Sequence, residues 1–200
     1  MAPEAEDEAS DGRNARAART HAALIDALFE LLDEGDVQPT AERIAERAGV
    51  SPRSVYQHFS DRERLFEAAA ERQLSRVGPL LTYLSDEGPL PERLDAFVGQ
   101  RATLYEAVSS FRRAALLLEH AHEDVARRLG LVRQVKRDEA LRVFAPELAL
   151  LPSRERRVAG AALGAASSWS TWEALRRHQG LGVPAATAAL RRLVEAALKG

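Results

Sequence analysis

The sequence predicts an all-α protein, and three observations carry that prediction. Apolar residues recur at three- and four-residue intervals along most of the chain, the spacing that gathers them on one face of a helix. The composition suits packed amphipathic helices: 46% hydrophobic and 29% charged residues, rich in Ala, Leu, Arg and Glu. β-Branched residues are sparse, and no alternating strand pattern persists.

Composition also excludes several classes. The chain has 200 residues, enough for one or two domains. It has no cysteine, which rules out disulfides and thiolate metal sites and suits a reducing cytoplasm. No apolar run approaches the length of a membrane span. The net charge of -2 supplies no global attraction to nucleic acid. Any such affinity must come from locally placed cations.

The elements follow in order. Residues 1–12 carry Glu4, Glu6, Asp7, Glu8 and Asp11 without a large apolar side chain, which reads as a disordered acidic tail rather than a secretory leader. From Arg13 a helical stripe of Leu24, Ile25, Leu28, Leu31 and Leu32 develops, and Gly35 stops it. Arg13, Arg16 and Arg19 at its start form either a solvated face or a set of phosphate contacts. Thr40 then suits an N-cap. Ile44, Ala45 and Ala48 share one face, and Gly49 makes a sharp end. Ser51 can cap a second short helix with Pro52 at its first position. Val55 and Phe59 give that helix a buried stripe. Small Ala45, permissive Gly49 and branched Val55 have the spacing of a helix-turn-helix, whose second helix enters the major groove of DNA.

Another helix opens at Ser60–Arg62, capped by Ser60 in a capping box with Glu63 or by Asp61. The pattern weakens at Gly78-Pro79 and breaks at Gly88-Pro89. Pro91 begins a helix with Leu94, Phe97, Val98, Leu104 and Val108 on its apolar side, and a short apolar segment covers 111–119. A longer helix follows through Val125, Leu129, Val132, Val135 and Leu141, ending before Pro146. Residues 153–178 read as one helix rich in small residues. Gly180 and Gly182 end it, and 184–199 form the last helix.

Taken together, Thr40, Ile44, Ala45, Ala48-Gly49-Val50-Ser51, Val55-Tyr56, His58-Phe59 and Leu65 resemble the N-terminal domain of the TetR family of transcriptional regulators. The resemblance covers roughly residues 13–70. It implies an N-terminal three-helix DNA-binding domain (13–60) and a helical C-terminal domain (61–200) that binds a ligand and dimerises, about nine helices in all. It also implies a homodimer on a palindromic operator, commonly a repressor, released by a small organic molecule. Two residues depart from the family's pattern. Arg62 stands where Lys is frequent, which keeps the charge and changes the geometry. Pro52 stands where a small or basic residue is frequent.

With Val55 inward and about 100° of rotation per residue, Arg53 and Gln57 point outward, flanked by Ser54 and Tyr56. Arg can donate two bonds to guanine, and Gln can pair bidentately with adenine. Arg53 and Gln57 are therefore candidates for reading bases. Tyr56 and His58 are candidates for phosphate, or for packing. Thr40 and Arg62 lie at helix starts, which favour anions.

In the C-terminal half, Gly160, Leu163 and Gly164 lie in a run of small residues that permits close helix approach. Trp172, Leu190, Leu193 and Val194 extend the apolar surface. These seven are candidates for a dimer interface, or for intrachain core. The resemblance further implies a ligand cavity, for which Phe97, Arg101, Leu104, Tyr105, Val108, Phe111, Leu117, His122 and Trp169 are candidates. No nucleophile motif, phosphate loop or dinucleotide fingerprint occurs, so neither an enzyme nor a cofactor is expected. His120 and His122 are spaced wrongly for two ligands on one helix face, so no metal is expected either.

Overall fold

The computed structural model describes the backbone of residues 4–199 and the side chains of residues 14–199. Among the described residues there are ten α-helices: α1 (Glu4–Asp33), α2 (Ala41–Arg47), α3 (Pro52–His58), α4 (Arg62–Val77), α5 (Leu90–Glu119), α6 (Glu123–Val143), α7 (Ala145–Ala149), α8 (Ser153–Ala166), α9 (Trp169–Glu173) and α10 (Val183–Lys199). A 3₁₀ turn covers Gly78–Leu80, and a π-helical turn covers Ala174–His178. No strand occurs among the described residues.

Residues 1–3 lie outside the described residues, as does the side chain of Arg13, and from Glu4 the backbone of the acidic stretch is helical. Alanine and glutamate, frequent there, are strong helix formers. Two expectations are corrected. The helix expected over 153–178 is interrupted. Ser167 bonds back to the Leu163 carbonyl at 2.7 Å, and Ser168 caps α9 by accepting from the Thr171 N–H at 3.2 Å. Tyr105 Oη donates to the Ser167 carbonyl at 2.7 Å, so the break satisfies its own orphan groups. The helix expected from Pro91 and the apolar segment at 111–119 are one continuous helix, α5.

The chain forms two compact units, residues 1–76 with 110–117 and residues 77–109 with 118–200. The first unit therefore runs through α4. The reason is packing: Leu65, Phe66 and Ala69 of α4 are buried, and Phe66 stacks on Phe111 at 5.9 Å. Phe29 of α1 meets the same ring at 5.6 Å, so α1, α4 and the 110–117 turn of α5 share one core.

In the first unit, Leu24, Leu28, Leu31 and Leu32 line one side of α1 and are almost completely buried. Each such side chain contributes roughly 1.5–3 kcal/mol on leaving water. Ion pairs then fasten α2 to the end of α1. Arg47 bonds Glu30 at 3.3 Å and Glu34 at 2.7 Å, and Arg43 pairs with Asp36.

The second unit is a helical bundle in which α10 packs along α8. Its core holds Leu94, Phe97, Val98, Phe144, Leu163, Trp172, Leu190 and Val194. Phe97 and Phe144 meet edge to face at 5.1 Å. Arg93 closes the base of the bundle. It pairs with Glu147 and donates to the Val143 carbonyl at 2.7 Å.

Candidate nucleic-acid interface

The helix-turn-helix and the start of α4 are built from three caps and one glycine. Thr40 Oγ accepts from the Arg43 N–H at 3.3 Å and starts α2. Gly49 has φ of 67°, the left-handed region where a side chain is strained, and it turns the chain between α2 and α3. Ser51 Oγ accepts from the Ser54 N–H at 3.3 Å, with Pro52 in the first turn of α3. Asp61 caps α4, accepting from the Arg64 N–H at 2.8 Å and from Ser60 Oγ at 2.9 Å. Of the two caps open at Ser60–Arg62, Asp61 makes the bond. Those donors, the Arg64 amide first and Ser60 second, hold its carboxyl below the usual carboxylate range.

Val55 and Phe59 are buried at 5% and 4% exposure and fix the rotation of α3. Arg53 and Gln57 are consequently exposed, and so is Tyr56 at 60%. Ser54 is half-buried, its hydroxyl 3.0 Å from that of Ser51. His58 is half-buried as well, its ring 6.3 Å from that of His21 on α1. Arg62 is exposed, with its guanidinium over the Phe66 ring at 5.4 Å. Thr40 is exposed, and its hydroxyl helps hold the Glu42 carboxyl below its ordinary range, after Glu42's own backbone N–H. A phosphate at Thr40 would compete with that carboxylate.

This face therefore gathers Arg53, Tyr56 and Gln57 on the outside of one short helix. Arg43 and Arg47 of α2 are occupied by acidic partners and leave the α3 residues as the accessible donors of the turn motif. Arg16 and Arg19 are exposed on α1. His21 was not singled out in the sequence, yet its ring lies 4.7 Å from Phe59. Its only signal was its place three and four residues before Leu24 and Ile25, on the apolar stripe.

The candidate ligand residues separate. Phe97, Arg101, Leu104, Tyr105 and Trp169 are buried in the second unit. Around Tyr105 the polar groups satisfy one another: Trp169 Nε1 donates to Ser109 Oγ at 2.9 Å, and Ser109 Oγ donates to the Tyr105 carbonyl at 2.6 Å. Val108 is half-buried. Phe111 and Leu117 belong to the first unit, and Leu117 is exposed. His122 sits in the turn before α6. An open cleft of about 630 Å³ lies elsewhere, between α6, α7 and α8, with Arg137, Leu141, Leu148 and Arg157 in its walls.

Of the candidate dimer residues, Leu163, Trp172, Leu190 and Val194 are fully buried within the subunit. Gly160 faces Leu141, and Gly164 faces Arg137. Leu193 is exposed. The accessible side of α8 instead carries Val158, Ala161, Ala162 and Ala165, and α10 exposes Ala188, Arg192, Leu193 and Ala196. Among the described residues no helix is long and apolar enough to cross a membrane, and no three metal-ligating side chains gather.

Residues 24–69 match the family model of the bacterial regulatory proteins, tetR family. A transcriptional regulator from Rhodococcus sp. Rha1 has a similar crystal structure. Its TM-score is 0.65 at 21% sequence identity, over 92% of this chain and 96% of that one. No curated protein sequence matches this chain.

Proposed function

We propose that this chain, a transcriptional regulator of the TetR family, is a repressor that binds a palindromic operator as a homodimer and leaves it when a small organic ligand binds. The carrying observation is the rotation of α3: Val55 is buried while Arg53 and Gln57 are exposed. Arg53 and Gln57 read base edges, and Thr40, Ser54, Tyr56, His58 and Arg62 hold the backbone. Phosphate contacts set register, and base contacts set sequence. One head covers only a few base pairs. Two heads related by a two-fold axis read half-sites about 34–36 Å apart.

The proposed pairing surface is the exposed small-residue side of α8 with its neighbours on α10. Val158 and Ala162, and Ala161 and Ala165, stand four residues apart on one side of α8, and the lack of bulk of the alanines permits close approach of two helices. Release by ligand requires that the ligand bind a DNA-incompetent arrangement more tightly than the competent one. The protein then works in the cytoplasm beside the chromosome, without a catalytic step.

Selection from random duplexes tests the reading. The purified chain should enrich a two-fold symmetric sequence, and the Arg53→Ala/Gln57→Ala double variant should enrich none. Equal retention of all duplexes by the unaltered chain would overturn it.

A further inference from the structure

We propose that the second unit binds a small carboxylate with an aliphatic body in the cleft between α6, α7 and α8. Only the consequence for DNA rests on the ligand-release reading; the binding itself stands on the geometry of the cleft.

The cleft holds about 630 Å³, within the range of small-molecule sites. Leu141, Ala145 and Leu148 supply an aliphatic floor, and no aromatic ring lines it. A flexible chain therefore suits it better than a planar ring, for which it offers no aromatic stacking partner. Gly160 keeps the α8 wall low, since a Cβ there would come within 3.1 Å of Leu141 Cδ2.

The polar part of the lining has one sign. Arg137 comes from α6, and Arg156 and Arg157 from the first two turns of α8. Arg156 is held in place, donating to the carbonyls of Ala149 at 3.0 Å and Leu151 at 3.1 Å. Arg137 and Arg157 have no ion-pair partner among the described residues. The buried and half-buried arginines Arg93, Arg101, Arg176 and Arg191 of this unit are matched, by Glu147, Glu139, Glu106 and Asp95. No side chain caps the start of α8, so its free N–H groups add to the positive potential. A guanidinium fork pairs with a carboxylate through two parallel bonds. Aliphatic floor and cationic rim together select an amphiphile with an anionic head.

Calorimetric titration of the full chain with decanoate, kept below its micellar concentration, tests this. Decanoate should bind saturably, one per chain. Decanol, which lacks the charge, and acetate, which lacks the chain, should each bind at least tenfold more weakly. Arg137→Gln/Arg157→Gln should weaken decanoate at least tenfold with helix content and melting temperature unchanged, because both side chains are exposed. Decanoate binding that survives in that variant, or that is no tighter than decanol, overturns the site. Operator affinity is measured separately, with and without decanoate. Saturable decanoate binding that leaves operator affinity unchanged upholds the cleft and overturns its link to release from DNA.

Discussion

Replacing Arg53 with alanine removes a fork of hydrogen-bond donors and little on which the fold depends, because that side chain is exposed and has no ion pair in the head. Operator binding should weaken by about 1–3 kcal/mol, and discrimination at one position of each half-site should relax. Gln57→Ala should do the same at a neighbouring position. Competition titrations against single-base variants of the selected sequence would check both; a uniform loss across all variants would move these residues to the backbone. The outward rotation of Arg53 and Gln57 was legible in the sequence, since a helix turns by a fixed angle and Val55 marks the inside. The surroundings of His58 were not. The Thr40 hydroxyl meets Glu42 within its own cap, whereas the meeting of His21 with Phe59 depends on packing between helices, which no local spacing records.

Caps and breaks act at the level of the helix. Ser51→Ala deletes the side-chain acceptor at the start of α3 and should cost about 1 kcal/mol. In a chain of this length that lowers the melting temperature by about 2–4 °C. Heating monitored by circular dichroism measures it, and DNA affinity should fall further than stability because α3 carries the proposed base contacts. The seam between α5 and α6 holds an ion cluster in which Arg101 is buried and Lys136 and Glu139 are half-buried. Arg101 is completely buried and donates to Glu139 Oε2 at 2.6 Å and to the Lys136 carbonyl at 2.9 Å, while Lys136 Nζ bonds the same Glu139 oxygen at 3.0 Å. Burial pushes the Glu139 carboxyl upward, but Arg101 and Lys136 pull harder and hold it below its ordinary range. Its contribution is thus fully present above the unfolded carboxylate pKa and is lost as pH falls through the folded value. Glu139→Gln leaves two cations facing each other and should cost on the order of 3 kcal/mol at neutral pH. The difference from the unaltered chain should shrink as the pH is lowered. Denaturant titrations across pH test this, and a constant difference would sink it. Sequence reading found the caps because they lie within three residues of what they bind. It missed this cluster because α6 lies some 35 residues beyond Arg101 and no motif ties the two together.

At the scale of the molecule, the hardest thing to read from sequence was which side of α8 faces inward. Gly160, Leu163 and Gly164 looked like a close-approach face, and they are one, but the approach is within the subunit: toward α6 for the two glycines, and into the bundle core for Leu163. The opposite side of the same helix is also made of alanine and valine, so composition favoured neither. Burial separates them, and it leaves a stripe of small residues exposed on α8. If that stripe is the pairing surface, Ala161→Glu should place a carboxylate in each half of a two-fold interface, where symmetry sets like charges near one another. The side chain at 161 is exposed, so the fold and its melting temperature should change little. Sedimentation should shift from dimer to monomer at micromolar concentration. Operator affinity should drop by a factor on the order of 100 or more, because the second head loses the effective concentration that tethering supplies. Each half-site should still be recognised weakly by a single head, with Arg53 and Gln57 intact. An Ala161→Glu chain that sediments as a dimer and binds the operator unchanged would move the pairing surface off this face of α8.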